Sequence, residues 1–495
     1  LGGSLGTGLI IASGTALTRG GPLGLVVGYT FMGIVCYFVM VALAEMSAYI
    51  PHRKGLGGYS TRFVDPAFGF ALGWNYLFKY FFQTANNINA AGVVMQYWTL
   101  SVPIEVWMIF FVNLLGIRFF GELEFVFSSI KVTALVGLIL MGFVIDLGGN
   151  PQHDRYGFRY WRPPYGPLGE YLISEVHSAT LARFLGFWST LITALFSYIG
   201  IELIGITAGE AQNPQKTMPR AIRTTFLRIL VFYIGGSFSM SLSVPSTNQS
   251  LFVANSSKAG AAASPFVLAA SLAGIRHLDN IINAIVLIFV LSASNSDLYI
   301  GSRTLYALAV EKKAPAVFTR VDKRGVPWPA LVLCTAVCFL TFLNASSSSS
   351  VAFGWFANLV ACLGAITWIC ISYTHIAFMR ALKAQGVPRE SLPYKAPLQP
   401  YGSWFALVST SIVLIFNGFS AFLPFALGTF TTSYIGIPLF AFLWAGYKIF
   451  YRTSRIPAIS ADVVSGTTAP YRTPTRERDA ERPRRVPWRR LWDTL

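Results

Sequence analysis

Two lysines, Lys79 and Lys131, and two carboxylates, Glu202 and Asp297, stand in otherwise apolar stretches of this 495-residue chain. An ionised group at membrane depth is costly, so it pairs, faces a water-filled path or exchanges a proton. Lys131, in SSIKVTALV, lies about two turns into an apolar run, where an amine can alternate between charged and neutral forms. The competing reading is a lysine snorkelling to the interface beside Glu122 and Glu124. Lys79 lies deeper, roughly 16 Å along a helix from Phe68 at 1.5 Å per residue. It suits either the distal carboxylate of an acidic substrate or an internal ion pair with Glu202 or Asp297. Asp297, in NSDLY, has Lys131 and Lys79 as equally available partners.

Backbone supplies a second kind of chemistry. Gly2, Gly3, Gly6 and Gly8 crowd around Ser4 and Thr7 where a membrane helix should begin. Each glycine costs a helix up to about 1 kcal/mol against alanine, so unwound backbone is expected there. Inside a bilayer such backbone survives only against protein or a cavity, and in transporters its free N–H and C=O groups meet the substrate. The alternative is a small-residue packing face of the GxxxG kind at Gly2–Gly6. A second break follows in FSYIGIELIGITAGEAQNP, where Gly200, Gly205 and Gly209 surround Glu202. The segment Gly3 to Gly8 would donate N–H groups to an α-carboxylate, helped by a half-helix N-terminus. Carbonyls of Ser197, Tyr198, Ile199 and Gly200 would receive the α-amino group. Phe196 and Tyr198 are candidates for a lid or for plain aromatic packing.

These residues need membrane helices to hold them. The chain is 54% hydrophobic and 12% charged, with mean hydropathy +0.54, which excludes a soluble protein. Apolar runs of about 20 residues fall at 1–17, 23–47, 68–95, 102–117, 123–145, 187–208, 225–244, 277–301, 327–343, 351–377, 403–423 and 430–451. The expected fold is therefore an all-α polytopic membrane protein with about 12 transmembrane helices. The first is truncated: Leu1 already stands at its break, so a half-helix is expected upstream. Five spans separate the two breaks, and an odd number inverts the second copy, so spans 1–10 form a five-plus-five inverted repeat with broken helices 1 and 6. Residues 1–451 make the transmembrane domain, with two extra spans at 403–451. Residues 452–495, rich in Arg, Pro, Thr and Ser, read as a basic, disordered cytoplasmic tail.

The net charge of +17 sorts by loop rather than forming a nucleic-acid patch. One set of loops and the tail hold most Lys and Arg, whereas the opposite loops hold Arg19, Arg155, Arg159, Arg162, Arg183, Lys258 and Arg276. The positive-inside rule puts both termini in the cytoplasm. Sequons at Asn248, Asn255 and Asn344 fall on the external side. The five cysteines all lie in apolar segments and read as packing. No phosphate loop or zinc spacing is present, so an enzyme is not expected.

The segments GGSLGTGLI, FVDPAFGFALGWNY, FFGELEFVFSSIKV, FSYIGIEL, GEAQNPQKTMPRAI and SNSDLYIGSRTLYALA, in this order, resemble fungal permeases of the amino acid–polyamine–organocation superfamily. YLFKYF, QHDRYGFRYWRPP and NSDLY bring the likeness nearest to the dicarboxylic members. The resemblance implies plasma-membrane import of amino acids with protons, by alternating access and with no cofactor. It matches Lys131 to a lysine that replaces a sodium ion between helices 1 and 8, with carbonyls near Gly3–Gly6 and hydroxyls among Ser292, Ser294 and Ser296 as neighbours. It matches Glu202 to a proton-sensing position, against which stands a structural hydrogen bond to helix 1. Asn86 and Asn87 occupy the place where basic-substrate relatives carry a glutamate, which argues against a cationic substrate. The expectation is a proton-coupled importer of glutamate and aspartate, with a small amino acid substrate and the lipid bilayer as partners and no nucleic acid. Its alternatives are a broad or neutral permease of the same fold and a non-transporting amino acid receptor.

Overall fold

Apolar runs in a bilayer must satisfy their own backbone hydrogen bonds, and here they do so as helices. The structure is a computed structural model that describes residues 6–51, 55–95, 117–203, 214–248, 251, 264–275, 277–341 and 349–465. Among them there is no strand, only an isolated bridge at Phe422 and Phe425.

A π-helical turn, Gly8–Ala12, runs into α1 (Ser13–Tyr49). At Gly21 the backbone takes φ 71° and ψ 178°, and Pro22 restarts the helix beyond it, so α1 holds two spans. Next come α2 (Gly55–Phe63), α3 (Pro66–Met95), α4 (Ile117–Asp146) and α5 (Ala179–Tyr198). α6 (Pro214–Arg228) continues through the π-helical stretch Ile229–Ile234 into α7 (Gly235–Ser243). After these follow α8 (Pro265–Leu272), α9 (Leu278–Val310), α10 (Trp328–Cys338), α11 (Ser349–Ala384) and α12 (Tyr401–Ile415). The chain closes with α13 (Leu427–Tyr434) and α14 (Gly436–Tyr451), bent by 41° at their junction.

Among the described residues, 7 helices are long and apolar enough to cross a membrane, or 8 with the bent pair counted as one. The shortfall from about twelve has local causes. Gly8–Tyr49 counts once although Gly21 divides it, residues 102–116 of the fourth apolar run lie outside the described residues, and α10 is short. α3 is long enough but too polar, because it buries Asn75, Lys79, Gln83, Thr84, Asn86, Asn87 and Asn89. That polarity is what a central, site-bearing helix looks like: α3 packs along both α9 and α11.

Loops sort to two ends. At one end Lys313 Nζ donates to Thr61 Oγ1, Arg389 binds Glu45 and Lys448 binds Asp65 at 2.6 Å. At the other, Leu23 N–H donates to the Pro167 carbonyl, Ser246 Oγ to the Tyr165 carbonyl, and Tyr171 meets Phe419 edge-on. Asp65 also caps α3 by accepting from Ala67 N–H at 2.9 Å. Although burial pushes its carboxyl up, Lys448, Ala67 N–H and Thr453 together hold it below the ordinary range.

The disordered reading of the tail does not hold for residues 452–465. Ile456 N–H donates to the Val64 carbonyl, Gln385 Nε2 to the carbonyls of Ala458 and Ala461, and Arg62 pairs with Asp462. Composition missed this because most of these contacts run to main-chain carbonyls. Residues 466–495 lie outside the described residues.

Candidate functional site

Of the two predicted breaks the second is formed; at the first, Thr7 and Gly8 are already helical, in the π-helical turn that opens α1, and residues 1–5 lie outside the described residues. α5 ends at Tyr198, Ile199 is extended at ψ 138°, and Gly200 adopts φ 102°, a region that disfavours side chains. Gly8 lies against this end so closely that an added Cβ would stand 2.4 Å from Ser197 Cα. Tyr29 hydrogen-bonds Ser197 Oγ at 2.8 Å and reaches the Gly8 carbonyl at 3.5 Å, tying the start of α1 and the end of α5 to the second half of α1.

Beside this junction runs a buried polar chain carried by α3. Lys79 Nζ meets Glu202 Oε1 at 2.5 Å, with both side chains at 0% exposure. The rings of Tyr76 and Tyr80 lie 4.2 and 4.1 Å from the ammonium. Glu202 Oε2 accepts from Gly200 N–H at 2.9 Å and from Trp368 Nε1 at 3.4 Å. About two turns of α3 further on, Thr7 Oγ1 donates to Asn87 Oδ1 at 2.8 Å, and Asn87 Nδ2 donates to Asp297 Oδ2 at 2.6 Å. Of the two readings open for Lys79, the ion pair is the one formed. Asp297 bonds Asn87 and forms no ion pair with either lysine among the described residues.

Above the junction a cavity of about 460 Å³ opens toward Tyr171 and Phe419 and descends to Ala12, Phe196 and Ala361. Phe196 stands at its floor, edge-on to Phe353 at 6.3 Å. Ala90 lines the cavity, and Phe82 packs with Ala12, Phe196 and Ile199 beneath it. Asn86 lies four residues from each and hence on the same face of α3. It is fully buried, and neither its oxygen nor its nitrogen has a hydrogen-bond partner among the described residues. Buried amides are normally satisfied, so Asn86 is a polar group left open beside the cavity floor.

The remaining predicted residues divide. Gly6 faces Ala293 of α9, and Ile199 packs against Gly364 of α11. Tyr198 takes the packing role: it stacks on Tyr233 at 4.3 Å and donates to the Tyr29 carbonyl, away from the cavity. Lys131 is fully buried on α4, 5.9 Å from the Phe289 ring. Ser294 and Ser296 donate along their own helix to Val290 and Ser292, and Ser292 donates to Glu124 at 3.4 Å. Gly3 and Ser4, with Gly205 and Gly209, lie outside the described residues. Sequence reading missed Arg19, which lines the cavity with Ala12 and Thr15. The i, i+3, i+7 spacing of these three was the available signal.

A helix interrupted at Ile199–Gly200 and packed against the π-helical start of α1, beside a cavity in an all-helical polytopic bundle, is an arrangement found in membrane transporters. Residues 1–457 match the amino acid permease family, and the chain belongs to it. It is 44% identical over 473 residues to the dicarboxylic amino acid permease of Saccharomyces cerevisiae, covering 94% of this chain and 77% of that protein. It is 42% identical over 458 residues to the lysine-specific permease of the same yeast, covering 91% and 74%. Against the proline-specific permease of Emericella nidulans the identity is 38% over 504 residues, covering 99% and 90%.

Proposed function

We propose that this permease imports acidic amino acids with protons, by alternating access about the junction of α1 and α5. The contact of Gly8 with Ser197 carries the reading, because it lies one helical turn from Ala12 and next to Phe196 at the cavity floor, with the open Asn86 amide on the adjoining face of α3. The α-groups bind at this junction and the side chain extends toward the cavity. Acidic preference is supported by the name of the first relative above and by a described cavity lining without Asp or Glu. Lys131, Glu202, Ser294 and Asp297 are the proposed proton-coupling groups, and protons are the only coupling agent. The same reading puts the protein in the plasma membrane with both termini cytoplasmic and the cavity facing outward.

A broad or neutral specificity is the second reading. It is favoured by the commitment of Lys79 to Glu202, which removes one cation from the substrate's reach, and by the lysine and proline permeases among the relatives. Uptake of labelled glutamate, aspartate, alanine, lysine and proline, in cells lacking their own permeases, separates the two. Preferential accumulation of glutamate and aspartate, abolished by a protonophore, is expected. Equal or greater accumulation of alanine, lysine or proline would establish the second reading instead.

A further inference from the structure

We propose that Arg19 is an outer capture site for anionic amino acids, standing in the cavity above the substrate floor. The inference rests on the acidic-substrate reading and adds to it the group that selects on entry.

Ala12 and Phe196 meet at the floor, while Arg19 Nη1 donates to Ser189 Oγ at 3.3 Å. Arg19 follows Ala12 by seven residues and Ser189 precedes Phe196 by seven, so the α1 and α5 segments run antiparallel. The guanidinium is therefore roughly 10 Å above the floor at 1.5 Å per residue. Its Cζ lies 4.9 Å from the centroid of the Tyr171 ring. Ser189 and Tyr171 both line the cavity, so the guanidinium sits within it.

Neither neighbour cancels the charge. Among the described residues Arg19 forms no ion pair, and it is the one charged residue of the cavity lining. A guanidinium has five N–H donors in a planar fork, and Ser189 engages one nitrogen. The rest match a carboxylate. In a cleft whose one charged lining group is positive, the local concentration of the opposite ion rises. Glutamate and aspartate arrive with net charge −1, alanine with none and lysine with +1, so Arg19 sorts them before they reach the floor. A single glutamate does not bridge from Arg19 to the Gly8–Ser197 junction, so capture and final binding are successive.

The test is initial uptake of labelled glutamate and alanine by the wild type, Arg19→Gln, Arg19→Lys and Ser189→Ala, at matched surface expression and several ionic strengths. At low salt Arg19→Gln is expected to raise the glutamate KM about tenfold, leaving the maximal glutamate rate and the alanine KM unchanged. Arg19→Lys and Ser189→Ala, which keep the charge, are expected to stay near wild type. The wild-type glutamate KM should climb with added salt, and that of Arg19→Gln should not. An unchanged glutamate KM in Arg19→Gln, or equal rises for glutamate and alanine, overturns the inference while leaving the acidic reading in place. A wild-type glutamate KM insensitive to salt overturns it without any variant. A wild type that takes up no acidic amino acid overturns both.

Discussion

Lys79 and Glu202 are each other's partner before they are anything else. Both are fully buried and 2.5 Å apart. Removing one member of a buried pair leaves the other charge uncompensated, at about 3–5 kcal/mol, whereas removing both together is often close to neutral. Lys79→Met and Glu202→Gln should each lower the thermal stability of the purified protein and depress uptake of glutamate and alanine in parallel. The double variant Lys79→Met/Glu202→Met should regain much of the lost stability. A selective loss of glutamate uptake in Lys79→Met, with alanine spared at matched surface expression, would return Lys79 to the specificity site. The lysine's depth was legible in the sequence, because eleven residues separate it from Phe68. Its partner was not, since Glu202 and Asp297 are both distant in sequence and chemically equivalent until α3 is set against the break after α5.

The interrupted elements are positioned by backbone contact, which side-chain patterns do not encode. An alanine Cβ at Gly8 would sit 2.4 Å from Ser197 Cα, an atom that cannot rotate away, so the start of α1 and the end of α5 would have to separate. A misplacement near 1 Å at a reacting or binding centre can cost about 100-fold in rate. Gly8→Ala is expected to lose transport on that order while still reaching the surface. Gly137→Ala, where nothing stands within 4 Å of an added Cβ, serves as the control and should be silent. Wild-type uptake by Gly8→Ala would show that the start of α1 and the end of α5 do not act as one site. α3 makes the complementary point at the same scale: its buried polar residues weaken its signal as a membrane span and mark it as the helix that joins the start of α1 and the break after α5 to α9 and α11.

For the whole molecule the membrane potential decides what coupling must achieve. Moving one negative charge into a negative interior costs about 2.3 kcal/mol per 100 mV. One accompanying proton only cancels that cost, so accumulation of an acidic amino acid driven by potential needs at least two. Glutamate applied under voltage clamp at a negative holding potential should therefore evoke an inward current. A zero or outward current would exclude this stoichiometry. The buried Lys79–Glu202 and Asn87–Asp297 connections lie in one continuous bundle, where a change of proton number at one position alters the field at the others.

The sequence alone determined the class of fold and the break at Gly200. Hydrophobic length and the glycine after Ile199 are local properties, and a bilayer enforces their consequences with no knowledge of the tertiary fold. The family resemblance was equally local, carried by short segments in order. Only the tertiary structure decided which charge meets which, since Lys79 chose Glu202 and Asp297 bonded Asn87. It alone turned Tyr198 into the core and Arg19 into the cavity, because a residue's role there depends on the elements opposite it. It also folded residues 452–465 back onto α2 and α11 through hydrogen bonds to main-chain carbonyls. Partners tens to hundreds of residues apart are fixed by packing geometry, which composition and periodicity do not contain.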